Sequence, residues 1–329
     1  MGKSKGGKQK KEFDTMSLSR FVLCWEESAL LKRRKWSKLP SDILLMIFEK
    51  MGPIEVLTKA IRLCRDWLEV ARNEPLLWRK VDMTCHGKKF GPNYLQDIAC
   101  IAVNWSAGQL EEFAAEQFGS DDLLQCIANS TSNLKRISFI KCNDISEDVL
   151  EKTIKRWHLL EEIELYFWMC SRKFFRAIGL SCPYLKCLRL NYIRVNCRND
   201  KKDCLAKLIG RNFPNLSSLQ LIGNKMTNKG LHFIFKGCPQ LESLDIRQCY
   251  KLTIDQSLQS DLERIKNVRL PNDSIDDYKF ACYLKQFSYS SLLFDNSEND
   301  SVSGGDFDSD SDTMNYLDIK YEHIMFQDW

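Results

Sequence analysis

The sequence of 329 residues is short of the side chains on which most enzymes and metal centres are built. Histidine occurs four times, at His86, His158, His232 and His323, with no HExxH segment and no pair at metal-ligand spacing. No glycine-rich phosphate loop, GxGxxG or GxSxG stretch is present, so nucleotide-driven and serine-hydrolase chemistry have nothing to rest on. Cysteine is not scarce, with 14 copies, but Cys-x-x-Cys never occurs and the paired thiolates of a structural zinc site are missing. Long apolar runs are lacking too. None exceeds the six residues of Leu165 to Cys170, about a third of the roughly 20 that a membrane-spanning helix needs. Without an apolar leader near Met1 the cysteines are expected to be reduced thiols, and the chain to be soluble and cytoplasmic and/or nuclear. No cofactor, metal or catalytic residue is expected.

What is present is segregated charge. The formal net charge is only +4, yet residues 1–40 hold eleven Lys and Arg against four acids. The segment 295–312, DNSENDSVSGGDFDSDSD, holds seven acids and no base. A stretch this polar cannot bury enough apolar surface to offset its ordering entropy, so 295–329 reads as an acidic, mostly disordered tail and 1–35 as a basic, disordered extension. The run Lys32 to Lys35 has the composition of a nuclear import signal. The balance left between these ends gives no reason to expect a nucleic-acid partner.

Between the ends, the stretch 36–83 reads as two or three short helices. Ser41 and Asp42 are expected to cap the first, on which Ile43, Leu44, Ile47, Phe48 and Met51 fall on adjacent turns, and Gly52-Pro53 stops it. A second apolar stripe runs through Val56, Leu57, Ala60, Ile61, Cys64, Trp67 and Leu68, before Pro75 and Leu77-Trp78. Forty-eight residues are too few for a robust separate core, so part of this surface should face a partner or a neighbouring domain.

The order Leu-Pro-x-Asp-Ile-Leu-x-x-Ile-Phe, then Cys-x-x-Trp, then Leu-Trp resembles the F-box, by which substrate receptors dock on the Skp adaptor of SCF ubiquitin ligases. The resemblance covers 36–83. It implies that Leu39, Pro40, Ile43, Leu44, Ile47 and Phe48 form the first docking element. It also implies that Val56, Leu57, Cys64, Trp67 and Trp78 complete the interface or its core. Met51 stands where Leu is usual, and Leu63 where Val is common.

From 107 to 270 one pattern, Leu-x-x-φ-x-φ with φ apolar, returns at Leu110, Leu134, Leu160, Leu185, Leu216 and Leu241, with a degenerate copy at Ile265. Each copy predicts a short strand, and stretches such as Ser146 to Trp157, Arg172 to Ser181 and Asn228 to Gly237 predict a helix between strands. Spacings near 25 residues and the Cys-Pro or Phe-Pro joints resemble leucine-rich repeats of the cysteine-containing class found in F-box proteins. The expected fold is a small all-α F-box, a connector at 84–106, and an α/β leucine-rich-repeat solenoid at 107–270. Its parallel strands lie on the concave face and its helices on the convex face. A cap or extension at 271–294 and the acidic tail follow. Cys142, Cys170, Cys182, Cys238 and Cys249 are expected as small core fillers.

The strand residues alternating with φ supply a candidate substrate face: Arg136, Ser138, Glu164, Tyr166, Arg189, Asn191, Gln220, Asp245 and Arg247, joined by Trp168. Tyr166 and Trp168 share strand parity and are candidate exposed anchors, the alternative being that Trp168 folds back over the repeat. About six extra residues in the one long interval make 194–202 a surface loop, either a contact loop or a neutral one. The F-box resemblance implies a non-catalytic substrate receptor, with a Skp-type adaptor, through it a cullin and a RING subunit, and a protein substrate as partners. The alternative is an F-box/LRR interaction protein or scaffold without ligase function.

Overall fold

The structure, a computed structural model, describes residues 39–86, 89–195 and 203–283. The expectations for 1–35, for the loop residues 196–202 and for the tail at 295–329 lie outside the described residues. One compact unit runs to Ser274 and a second begins at Ile275.

The first helix, α1 (Ser41–Met51), starts from Pro40 at its N-cap, with Asp42 in its first turn and Lys50 in its last, where they suit the helix dipole. The expected side-chain cap is absent: Ser41 is already helical, and the Pro40 carbonyl accepts from Leu44 N at 3.1 Å. Gly52, at φ +79°, ends α1 and lets Pro53 open α2 (Pro53–Thr58) at once. A 3₁₀ turn at Ala60–Arg62, α3 (Arg65–Asn73) and a second 3₁₀ turn at Pro75–Trp78 complete this helical module. Its centre is aromatic: Phe48 meets Trp67 edge to face at 5.5 Å, and Trp78 Nε1 donates to the Ala71 carbonyl at 2.7 Å.

The chain then enters a parallel sheet without a break. Strand β1 (Lys80–Met83) is followed by α4 (Pro92–Trp105), β2 (Glu112–Glu116), α5 (Asp121–Ser130), β3 (Arg136–Ile140), α6 (Glu147–Ile154) and β4 (Glu162–Tyr166). The order continues β5 (Met169–Cys170), α7 (Arg172–Ser181), β6 (Cys187–Asn191), β7 (Arg194–Val195), α8 (Cys204–Asn212) and β8 (Ser218–Gln220). Last come α9 (Asn228–Gly237), β9 (Ser243–Asp245), α10 (Gln256–Glu263) and β10 (Asn267–Arg269). The main sheet has eight strands in the order β1-β2-β3-β4-β6-β8-β9-β10, and β5 pairs with β7 apart from it. All seven strands expected from the Leu pattern are present, in unbroken register from Glu112↔Arg136 to Ser243↔Asn267. β1 is an addition, and it places a strand and a helix in the stretch 80–105 ahead of the first expected repeat.

Each repeat buries its own apolar positions against the next, which makes one continuous core from Leu44 to Ile265. Trp78 and Trp105, edge to face at 5.5 Å, tie the helical module to α4 inside that core. The repeat helices are tied across the stack by their N-termini. Ser146 caps α6 and is itself held by Asp121 of α5 at 2.7 and 2.8 Å, and Thr227 before α9 is held by Asp203 before α8 at 2.6 Å. Cys142, Cys170, Cys182, Cys238 and Cys249 are buried thiols, and Cys142, Cys182 and Cys249 point at carbonyls of the preceding repeat. Cys204 departs from the reduced-thiol expectation and is disulfide-bonded. No helix among the described residues is long and apolar enough to cross a membrane. In the second unit, Tyr278 and Phe280 meet edge to face at 5.7 Å.

Candidate functional site

Two surfaces have the chemistry of docking sites. On the helical module, Ile43, Met46, Leu63 and Leu76 are 40%, 56%, 47% and 61% exposed, although α1 and the turns beside Leu63 and Leu76 bury their other side chains in the core. Alternation on α1 explains the split. Leu44 and Phe48 point inward one turn apart, leaving Ile43, Met46 and half of Ile47 outward. A cleft of about 250 Å³ opens beside them, lined by Phe48, Pro53, Val56, Leu76 and Trp78.

The strand face is built differently. At the start of the strands, charges alternate in sign from one repeat to the next. Lys80 Nζ lies 2.7 Å from Glu112, Arg136 reaches Glu112 at 3.2 Å and Glu162 at 2.8 Å, and Arg189 closes on the other oxygen of Glu162. One row earlier, Glu111 pairs with Arg79 and Lys135, Glu161 with Lys186, and Glu242 with Lys266. Beyond β6 the ladder changes to amides. Asn191 donates to Gln220 at 3.1 Å, Gln220 donates to Asp245 at 2.8 Å, and Asp245 is gripped by Arg247 at 2.6 Å. Exposed pairs of this kind contribute about 0–1 kcal/mol each. Their larger consequence is that these charges are already matched within the face, which leaves little for a polyanion to gain.

At the exit of the strands, one residue per repeat adopts left-handed backbone: Cys85, Gln117, Lys141, Phe167, Tyr192, Gly223 and Gln248, all with φ between 54° and 72°. From Gln117 onward each of these N–H groups donates to a carbonyl of the next repeat, as in Phe167 N to Asn191 O at 3.1 Å and Tyr192 N to Ile222 O at 3.1 Å. Six of the seven carry side chains despite a cost of about 1–2 kcal/mol for a left-handed L-residue, and the inter-repeat bond and side-chain contacts offset it. Those side chains form a half-exposed ridge. Lys141 lies 5.7 Å from the Phe167 ring, Phe167 stacks on Tyr192 at 5.2 Å, and Tyr192 Oη donates to Gln248 at 2.6 Å. Gly223 is glycine because a Cβ there would sit 2.6 Å from the Tyr192 ring. Burial, with Tyr250 and Cys249 adding to it, pushes the Tyr192 hydroxyl up to about 12.

This ridge corrects the expected anchors. Tyr166, 0% exposed, lies under Phe167 and Tyr192, with ring distances of 4.6 and 6.1 Å. Trp168 is 9% exposed and packs on Phe139 at 6.1 Å in the core. The left-handed turn at Phe167 breaks strand parity, so Trp168 swings inward where simple alternation points it outward. Ser138, Asn191 and Arg247 are buried as well. Arg136 is exposed, and Glu164, Arg189, Gln220 and Asp245 are half-buried. Ser138 donates to Glu164 at 2.9 Å. Phe167 and Tyr192 escaped attention because they fall outside the alternation. Their signal is a side chain seven residues after each repeat Leu.

Among the described residues, no group of three or more His, Cys, Asp or Glu side chains is placed to hold a metal ion.

Residues 36–84 match the F-box-like domain family, and residues 195–274 match the LRR repeats of the FBD-associated F-box protein At5g56370. Putative F-box/LRR-repeat protein 22 of Arabidopsis thaliana is 37% identical over 256 residues, covering 77% of this chain and 82% of that protein. The chain belongs to the F-box/LRR-repeat family. Putative F-box/LRR-repeat protein 23 of the same plant is 39% identical over 74% of this chain, which spans only 55% of that relative's length. Among solved structures, the yeast Rad7 and Elc1 complex aligns with a TM-score of 0.44 at 17% identity, over 78% of this chain and 73% of that one. An internalin from Listeria monocytogenes aligns with a TM-score of 0.36 at 13% identity, over 59% and 52%.

Within the F-box, the residues expected to form the docking element or its core divide. Leu44, Phe48, Val56, Leu57, Trp67 and Trp78 are buried in the core, Leu39, Ile47 and Cys64 are half-buried, and Pro40 and Ile43 are exposed. The LRR strand face keeps its matched polar ladders and the ridge along its exit edge.

Proposed function

We propose that this F-box/LRR protein is the substrate-recognition subunit of an SCF-type ubiquitin ligase. In this reading Pro40, Ile43 and Met46 on the F-box dock a Skp-type adaptor, which brings a cullin and a RING subunit. A target protein lies on the LRR strand face. The observation that carries it is the exposed apolar surface of α1 within a segment that matches the F-box-like family. A single domain with a continuous core has no internal need to leave Met46 and Leu76 in water, whereas a docking module does. The chain's part in ubiquitin transfer is proximity: it holds a target lysine near a charged enzyme and raises its effective concentration without an acid or base of its own. The matched ladders and the aromatic ridge fit a protein target, with Phe167 and Tyr192 as its anchors and Arg136, Glu164, Arg189, Gln220 and Asp245 setting register.

Co-purification tests the reading. The full chain should recover a Skp-type adaptor together with a cullin, and proteins that accumulate on it when the proteasome is blocked should be ubiquitinated only when it is present. Failure to recover the adaptor sinks the ligase role. Recovery of the adaptor with no receptor-dependent ubiquitination makes the chain a scaffold.

A further inference from the structure

The convex side of the solenoid does not share the charge balance of its strand face. Helices α7, α8 and α9 pack side by side in three successive repeats, and together they hold seven Lys and Arg and no Asp or Glu. Along α7, Arg172, Arg176 and Leu180 follow at four-residue steps, along α8 Lys207 and Arg211, and along α9 Lys229, Phe233 and Lys236. Lys207 is half-buried, with Nζ 5.4 Å from the Phe233 ring, and the others are exposed. Glycines at the helix contacts bring these rows close together. A Cβ on Gly179 would sit 2.7 Å from the Asn212 carbonyl oxygen, and one on Gly237 would collide with the Gly210 carbonyl. Like charges four residues apart on a helix, or on neighbouring helices this close, repel. On the strand face Lys80, Arg136 and Arg189 each meet a carboxylate. On the convex side no carboxylate among the described residues pairs with Arg172, Lys173, Arg176, Arg211, Lys229 or Lys236.

We propose that α7–α9 form a second docking surface, which takes a short segment of a partner protein rich in Asp and Glu. Charge complementarity selects an anion, and the extent of the patch selects its kind. The stretch of α6 returns to balance, with Glu147, Asp148 and Glu151 against Lys152, Lys155 and Arg156, and α10 carries Asp261 and Glu263. A nucleic-acid duplex or an anionic bilayer runs on past three helices and meets those carboxylates, whereas a short peptide does not. Three helices packed at about 8–10 Å present a width of about 25–30 Å. An extended segment of about eight or nine residues, at about 3.3 Å each, spans it. Its carboxylates relieve the repulsion between the rows, and an apolar side chain among them rests on Phe233 or Leu180. The surface lies away from the strand face, so it rests on neither docking assignment above and leaves the target face open.

The test uses the full chain and a fluorescein-labelled decaglutamate peptide, followed by anisotropy at 50 and 200 mM salt. Wild type should bind the peptide, more weakly at the higher salt. Arg176→Gln, Arg211→Gln and Lys236→Gln combined should weaken binding by about 10-fold or more. Lys80→Gln, Lys135→Gln and Lys186→Gln combined remove the same charge from the strand edge and should change it by less than about 2-fold. Carbodiimide coupling of the peptide to wild type, mapped by mass spectrometry, should label Lys173, Lys207, Lys229 and Lys236. Equal losses in the two triple variants, coupling confined to the lysines of 1–35, or no binding at 50 mM salt would overturn the surface. Tighter binding of a ten-nucleotide DNA duplex or of phosphatidylserine vesicles, lost in the first triple variant, would overturn the choice of partner. The coupling map on wild type decides by itself even if a variant fails to fold.

Discussion

The F-box and the LRR stack share one core but treat their outer faces in opposite ways. On the F-box, four large apolar side chains, Ile43, Met46, Leu63 and Leu76, are exposed, with none of the described residues laid over them. On the LRR strand face the apolar groups are roofed, Tyr166 by Phe167 and Tyr192, and the charges are matched with one another from Lys80 to Arg189. The lesson is one of specificity. An apolar face binds one constant partner through area, while a face whose polar groups are already satisfied rejects a ligand that breaks those pairs without replacing them.

The sharpest way to break the contrast is at Trp78, which belongs to both regions. Trp78→Ala removes the ring that bonds Ala71 and packs on Trp105, and should cost about 3–5 kcal/mol, a large part of a typical total stability. Urea unfolding followed by circular dichroism and by fluorescence should give coincident curves, because the core is continuous. Two separate transitions would show that the F-box and the repeats are independent domains.

Trp78 also shows what could be read in the sequence. The segment Trp78-Arg79-Lys80-Val81-Asp82-Met83 is the repeat pattern with Trp in place of Leu, and it forms β1 in register with Glu112–Ala115. A search anchored on Leu passes over it, so the stretch 84–106 read as a connector although α4 completes a strand-helix unit there. The Leu-led strands and the helix at 172–181 were legible because period-2 alternation and the Ser171 cap act locally. The candidate substrate face was legible only in part. Alternation locates Arg136 and Gln220 but not the left-handed turn at Phe167, whose φ is set by a hydrogen bond to Asn191 in the next repeat.

A substitution on the apolar side sharpens the comparison next. Met46→Asp should change folding stability by no more than about 1 kcal/mol, because the side chain is already in water, yet weaken adaptor binding by about 2 kcal/mol, roughly 30-fold. Calorimetry of variant against wild type reads both. Unchanged affinity would remove α1 from the interface. On the polar side, Glu162→Gln removes the carboxylate that holds Arg136 and Arg189 together. With both arginines at least a third exposed, the expected loss is about 1–2 kcal/mol in urea unfolding, smaller at high salt as screening weakens the ladder. No loss would reduce the ladder to a surface decoration.

The smallest effect separates the ridge from both. Tyr192→Phe deletes one hydroxyl, the donor to Gln248, and at pH 8 should cost about 1 kcal/mol, the net value of one hydrogen bond. Its pH dependence carries more information than its size. In the unfolded chain a tyrosine ionises near pH 10, whereas burial raises Tyr192 in the folded protein to about 12. The folded state therefore favours the neutral phenol. The stability this group contributes is complete below about pH 10, and is lost as the pH rises toward and through about 12, where the unfolded chain has already released its proton. Phenylalanine has no such loss, and other titrating groups cancel in the difference between the two proteins. The gap between wild type and Tyr192→Phe should hold from pH 8 to about 10 and close above it. A gap that stays constant to pH 11 would mean that solvent reaches the hydroxyl freely, and the ridge would then be a loose fringe instead of a packed anchor for a target.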